Sequence, residues 1–444
     1  MVFSNKQIRD MVIPLLMEQF LLMLVGLSDT IIISYVGETA VSGVSLVNSF
    51  NTIFIYLFTA LASGGAVVVS QYIGKRDERK ASEAISQLLM ISIIFSILIS
   101  IPVLLEAKKL LQLLFGRVEN GVMEACITYL YISIYSFPAL AIYNTGAALY
   151  RSIGKTSVTM NISIISNIIN VIGNLIGVFV LHAGVAGVAY PSLISRTFSA
   201  LVITVLCFQK QKAVRYYVKE IFRWDKELLK TILFIAVPNG VESGVFQFVK
   251  VALSSVVALF GTYQIAANGI AQSIWSVAAL ISSAMGTVFI TVIGQCMGAR
   301  DMKEAEIWFK KLLKITVSIS VAWNALIFIL TPLIVKIFAV PDKTRNLIIF
   351  LVLIHNLANA FVFPFADPLG KGLRATGDAV FTMVISLFTS IGVRMVLSIL
   401  FGIVFKMGVV GIAFAMCMDW LVRAIIFWGR FKQGKWKQYR VIQE

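Results

Sequence analysis

The chain has 444 residues, of which 59% are hydrophobic and 14% charged, and its mean hydropathy is +0.89. A soluble domain carries about 25% charged residues. So few charges cannot cover so apolar a chain in water, which excludes a soluble enzyme, a disordered chain and a fibrous protein and points to a polytopic membrane protein. The excess of Lys and Arg, 38 against 22 acids, then reads as membrane topology and not as nucleic-acid binding.

A helix needs about 20 apolar residues to cross the hydrocarbon. Twelve such spans are predicted: 12–35, 44–70, 86–105, 124–147, 157–181, 185–208, 231–259, 263–293, 311–333, 347–368, 380–404 and 409–428. The first follows a short polar start, Ser4 to Asp10, with no small-residue cleavage site, so it reads as a retained helix and not a signal peptide. Four cysteines (Cys126, Cys207, Cys296 and Cys417) lie in or at the ends of spans without CxxC spacing, so free thiols are expected, with neither a disulfide framework nor zinc. Between spans, one side of the membrane collects 26 Lys and Arg and the other 7. The sparse side holds Lys108, Lys109, Arg117, Lys336, Lys343, Arg345 and Lys406. This bias predicts both termini in the cytoplasm of a multi-pass cell-membrane protein.

The strongest pattern is an internal repeat. Shifted by 224 residues, Pro14 meets Pro238, Glu18 meets Glu242, Gly37 meets Gly261 and Gln71 meets Gln295. Gly74, Arg76 and Asp77 then meet Gly298, Arg300 and Asp301. Near offset 223, Arg151-x-x-Gly154 meets Arg374-x-x-Gly377. The expected fold is an all-α membrane protein of twelve transmembrane helices. Two six-helix bundles, 1–208 and 231–444, would be related by a pseudo-two-fold axis along the membrane normal. The basic segment 209–230, with Tyr216, Tyr217, Phe222 and Trp224 interleaved, is the expected cytoplasmic linker. It is either a helix lying on the inner leaflet or a solvated connector.

Polar stripes mark faces that avoid lipid. Asn48, Thr52, Thr59 and Ser63 share one face of the second span, and Gln272, Ser276, Ser283 and Thr287 repeat them in the eighth. Ser163, Asn167, Asn170 and Asn174 line the fifth, and Ser386, Ser390, Arg394 and Ser398 the eleventh. Such residues either bond helices together or line a cavity shared by the halves. The repeated Asn and Gln positions favour the cavity.

A charge at the bilayer centre costs at least about 2.5–3.5 kcal/mol and needs a partner, water or a function. Glu18 and Asp29 lie on one face of the first span, about 16 Å apart along its axis. Glu242 is the repeat mate of Glu18, Lys250 lies further along the same span, and His355 and Arg394 fall in the tenth and eleventh. Asp29, Glu18 and Glu242 are the candidate ion-coupling residues, unless each merely pairs with a base, as Glu242 or Asp29 could with Lys250. Glu18 and Glu242 are expected to face each other near the cytoplasmic end of a cleft. Asp419 and Arg423, four apart with the acid first, form an expected structural pair. Pro14, Pro138, Pro238 and Pro364 each remove a helix hydrogen bond and permit a kink.

Several chemistries are absent. Ile153-Gly-Lys-Thr-Ser157 ends like a phosphate-binding loop, but Leu149 stands where the loop needs its first glycine and no strand precedes it. HExxH and a TVGYG-type filter are also missing. With no nucleotide site, transport would run on an ion gradient.

Pro14-x-x-x-Glu18 followed by Asp29-Thr30 and Gly37 resembles the opening of the multidrug and toxic compound extrusion (MATE) transporters of the MOP flippase superfamily. Ser70-Gln71-x-x-Gly74 and Gly294-Gln295-x-x-Gly298 resemble that family's signature at the ends of helices 2 and 8. Arg151-Ser-Ile-Gly-Lys155 and Leu373-Arg-Ala-Thr-Gly-Asp378 resemble its motifs after helices 4 and 10. The resemblance covers the whole chain. It implies two bundles in a V and secondary antiport, with organic, often cationic compounds leaving against Na+ or H+. Asp29 falls on an ion-coupling position of many members. One branch carries an acid in helix 7 where this chain has Gln247. The expected substrate cavity comprises Asn48, Asn170, Asn174, Gln247, Lys250, Gln272, His355 and Arg394. Lys250 and Arg394 bias it against simple monocations unless both are paired internally. The rival reading is a lipid-linked precursor or metabolite flippase with a basic cavity, and the more distant one a membrane-embedded binding or structural protein. The expected partners are a small-molecule substrate and the bilayer, with no nucleic acid, nucleotide, cofactor or enzymatic activity, in a monomer.

Overall fold

The computed structural model describes residues 3–116, 118–338 and 340–442. Arg117, counted above on the sparse side of the membrane, lies outside the described residues. Three long helices open the chain: α1 (Asn5–Ser34), α2 (Glu38–Gly74) and α3 (Glu78–Leu105). The short α4 (Ala107–Phe115) leads to α5 (Asn120–Tyr135) and α6 (Phe137–Ser152), which form one span bent by 45°. The bend sits at Ser136, where Pro138 at the start of α6 has no N–H to continue the ladder. Next come α7 (Thr156–Leu175), prolonged by a wide turn over Ile176–Val180, and α8 (Ala186–Cys207). After α9 (Val218–Ile221), α10 (Lys226–Val257) enters the second half. There α11 (Thr262–Ala278) and α12 (Leu280–Gly298) make one span, followed by α13 (Met302–Ile337) and α14 (Asp342–Phe361). The expected tenth span is interrupted at Val362, before Pro364, and continues as α15 (Phe363–Ala366) and α16 (Pro368–Thr376). The last two spans are α17 (Ala379–Leu387), extended through α18 (Val396–Ile399) to Val404, and α19 (Val409–Lys432).

Among the described residues eleven helices are long and apolar enough to cross a membrane, and the bent α5–α6 pair makes a twelfth. Large apolar side chains such as Leu113, Ile329 and Val251 point outward, which a bundle in water would bury.

The chain divides into two compact units, Asn5–Val237 and Pro238–Glu444, the latter joined by Met1–Ser4. The division falls inside α10 at Pro238, beyond the edge expected at 231. Close packing explains this: a Cβ placed on Gly64 of α2 would sit 2.6 Å from the Ala236 Cα, so the start of α10 lies against α2. The segment 209–230 is not one continuous helix, and it is not a free connector. Before α10 begins at Lys226 only Val218–Ile221 is helical, and the stretch from Arg215 to Asp225 is stitched onto α3. Ser82 and Ser86, one turn apart, accept from the backbone N–H of Arg215 (3.1 Å) and Tyr217 (3.0 Å). Gln87 donates to the carbonyls of Glu220 and Arg223 and accepts from the Asp225 N–H.

The repeat is visible in local conformation within each unit. Arg76 (φ 61°) and Arg300 (φ 58°) both end a helix in the left-handed region, which costs a side chain that glycine would be spared. The following aspartate offsets this. The Asp77 N–H bonds Tyr72 O and the Asp301 N–H bonds Cys296 O, closing the ends of α2 and α12. Their side chains then accept from the N–H groups of Lys80 and Glu304, each at 2.9 Å, and cap α3 and α13. The shared Gly-x-Arg-Asp is therefore a helix stop and start in four residues.

Candidate functional site

In the first unit α7 packs along α1, and its polar stripe meets both acids of α1. Glu18 is 1% exposed. It is paired with Arg151 of α6 (Nη2 to Oε1, 2.7 Å), and Thr159 Oγ1 donates to its Oε2 at 2.9 Å. Tyr143 and Ser163 hydroxyls donate to its Oε1, each at 3.4 Å. Three turns along α1, Asp29 is half-buried and accepts from Asn174 Nδ2 at 2.6 Å. Asn174 Nδ2 also reaches Asn170 Oδ1 (3.3 Å), and Asn170 Nδ2 donates to Ser192 Oγ of α8 (3.0 Å). The buried Asn174 Oδ1 has no hydrogen-bond partner among the described residues. Arg196, one turn after Ser192, donates to Ser136 (2.8 Å) and lies within electrostatic reach of Asp29. Asn48 is exposed on α2, beside Tyr129 of α5.

The second unit repeats the first arrangement and not the second. Glu242 is bound by Arg374, which also donates to Asn239 Oδ1. The pairing of Glu242 with Lys250 considered above is thus not formed. Lys250 is exposed and makes no ion pair among the described residues, because Arg374 of α16 occupies the carboxylate. Glu18 and Glu242 are thus each paired, within their own unit, with repeat-mate arginines.

Deeper in the second unit Arg394 pairs with Asp419 of α19 (2.8 Å) and stacks over Phe246 (5.1 Å to the ring centre). Asp419, expected to pair with Arg423, thus serves Arg394 as well. Asp419, fully buried, holds both arginines, with Arg423 Nη2 at 2.9 Å. Arg423 also donates to Thr389 and Ser390, each at 3.1 Å. His355 is 1% exposed within electrostatic reach of Arg394, and neither ring nitrogen has a hydrogen-bond partner among the described residues. Gln247 on α10 and Gln272 on α11 are half-buried. Asn170 and Asn174 are buried with Asp29 in one unit, and Arg394 and His355 are buried in the other. Asn48, Gln247, Lys250 and Gln272 lie on more open faces. Sequence reasoning missed Arg151 and Arg374 as the partners of the two glutamates, although both were aligned by the repeat.

A match to the MatE family covers residues 14–176 and again 238–400, one copy in each half. The chain belongs to the MATE family of transporters. MATE proteins are transporters and not enzymes, and they act on small molecules in a membrane. An "Uncharacterized transporter YisQ" of Bacillus subtilis is 27% identical over 96% of this chain and 93% of its own. A "Probable multidrug resistance protein NorM" of Thermotoga maritima is 23% identical over 99% of this chain and 94% of its own. A crystal structure of MATE in the straight conformation superposes with a TM-score of 0.90 at 22% identity, covering 98% of this chain and 97% of that one. A MOP superfamily transporter from Pyrococcus furiosus, described as having reversed binding-pocket polarity, matches with a TM-score of 0.90 at 22% identity over 98% and 96%. This MATE transporter thus shares their fold, and efflux of drugs is the activity that several relatives' names carry.

Proposed function

We propose that this MATE transporter exports organic, drug-like compounds, cationic or amphipathic, by alternating access in exchange for Na+ or H+. Asp29 carries the coupling ion. The supporting observation is the geometry around Asp29: a half-buried carboxylate in a polar pocket with Asn170, Asn174 and Ser192, where Asn174 Oδ1 lacks a partner. Carboxylate, amide and hydroxyl oxygens suit a hard cation, and a carboxylate can equally take a proton. Both termini lie in the cytoplasm by the charge bias, and one chain forms the transporter. Vesicles holding the purified chain, loaded with a dye-like cation, should release it when a Na+ or H+ gradient is imposed. Release unaffected by either gradient would remove the antiport reading.

A second reading has its own observation. Arg394 and Arg423 share the acid Asp419, which leaves one positive charge of this cluster without a counterpart among the described residues. That surplus favours an anionic or zwitterionic substrate, as for a precursor or metabolite flippase. A panel of cationic, neutral and anionic compounds in the same vesicles separates the two.

A further inference from the structure

A groove of 520 Å³ opens on the first unit where α3, the linker and the start of α10 meet. Ile91 of α3, Trp224 of the linker, and Leu229, Leu233 and Phe234 of α10 form its walls. The Trp224 ring is more than half exposed, as is Phe234, so the groove is open and not a closed core. Lys226 and Lys230 also line it, one helical turn apart, and neither forms an ion pair among the described residues. Of the neighbouring acids, Asp225 caps α10 at the Leu228 N–H (3.1 Å), Glu220 pairs with Arg223, and Glu227 forms no ion pair among the described residues. The groove is rigidly built. Gln87 clamps both Arg223 and Asp225, on either side of Trp224, and lies one turn before Ile91.

We propose that this groove binds an anionic glycerophospholipid, its headgroup between Lys226 and Lys230 and an acyl chain along Leu229, Leu233 and Phe234. Charge and shape select that occupant. Two unpaired cations stand at the first turns of a long helix, whose N-terminal end adds partial positive charge. An indole marks the interface level, where tryptophan is favoured. Below it the walls are apolar, which suits a chain and not a soluble anion. Basic side chains at a membrane surface each contribute enough to favour anionic over neutral lipid several-fold.

The test is native mass spectrometry of the full chain in detergent, titrated with phosphatidylglycerol or phosphatidylcholine. Phosphatidylglycerol should bind more tightly, and Lys226→Ala with Lys230→Ala should weaken it about thirtyfold while leaving phosphatidylcholine unchanged. Leu233→Trp keeps both lysines and fills the groove, and it should weaken phosphatidylglycerol as well. Inorganic phosphate should not displace the lipid. Equal affinity of the two lipids, or a double variant that binds like wild type, overturns the proposal. So does displacement by phosphate, which would mark a site for a bare anion. So does Leu233→Trp if it alters the oligomeric mass without touching lipid binding, since the face would then be a subunit contact. Retained ion-driven transport in both variants shows that they are folded.

Discussion

Glu18 and Arg151 sit 2.7 Å apart between α1 and α6, and Glu242 and Arg374 repeat the pair between α10 and α16. In both halves the acid follows the proline of the first helix by four residues, and the arginine lies in the helix that precedes the fifth span. The pair ties the middle of the first helix in each unit to the end of the helix before the fifth span. Glu18→Gln removes the buried carboxylate that Arg151 binds, and arginine cannot give up its proton. A cost of about 3–5 kcal/mol is expected. Thermal unfolding of the purified variant should show a large drop, and Glu18→Gln with Arg151→Met should recover part of it. A single variant with wild-type stability would make the pair dispensable.

Asp29→Asn keeps the shape of the α1–α7 contact and removes the charge. It should abolish ion-driven efflux while unfolding at close to the wild-type temperature, because the amide can still bond Asn174. Asn174→Ala should weaken coupling less, by about tenfold, since one hydrogen bond to a charged group is worth about 1.5–3 kcal/mol. Efflux by Asp29→Asn at the wild-type rate would move the coupling site elsewhere.

Much of the fold was legible in the residues, and the reasons differ by level. Hydropathy alone gives the spans, because lipid demands long apolar helices. The repeat gives the two halves, and Gly74-x-Arg76-Asp77 and its mate mark their corners. Pairing was less legible. Of the stripe on α7, Ser163 serves Glu18, as does Thr159 one turn before it, while Asn170 and Asn174 serve Asp29. A stripe records only that a face avoids lipid; what meets it depends on which helix packs there. The linker was only partly legible for a related reason. Its aromatic and basic pattern suits a membrane surface, while the bonds from Ser82, Ser86 and Gln87 of α3 that satisfy its backbone leave no mark in that pattern.

Gln87→Ala should free the linker without unfolding the transporter. Three hydrogen bonds are lost, each with a net worth of about 0.5–1.5 kcal/mol. Amide exchange should speed up over 219–226 and stay unchanged within α12. Protection equal to wild type would mean that the apolar contacts of Tyr216 and Trp224 suffice to hold the segment.

Asp419 carries the heaviest electrostatic duty in the second unit, since it is the one acid that holds both Arg394 and Arg423. Asp419→Asn leaves two buried guanidinium groups facing one neutral amide. The loss should exceed that of an ordinary pair and reach about 5 kcal/mol or lead to failed insertion. Arg394→Met is the more informative change. It removes the surplus cation, puts an apolar chain where the guanidinium lay over Phe246, and leaves Asp419 paired with Arg423. Stability should therefore fall by only about 1 kcal/mol or even rise, as when a buried ion is replaced by a packed apolar chain. Transport then decides what the surplus charge is for. If cationic compounds are the substrates, Arg394→Met should carry them at least as well as wild type. If efflux of anions is present in wild type and is lost selectively in this variant, the basic cluster recognises substrate and the flippase reading prevails.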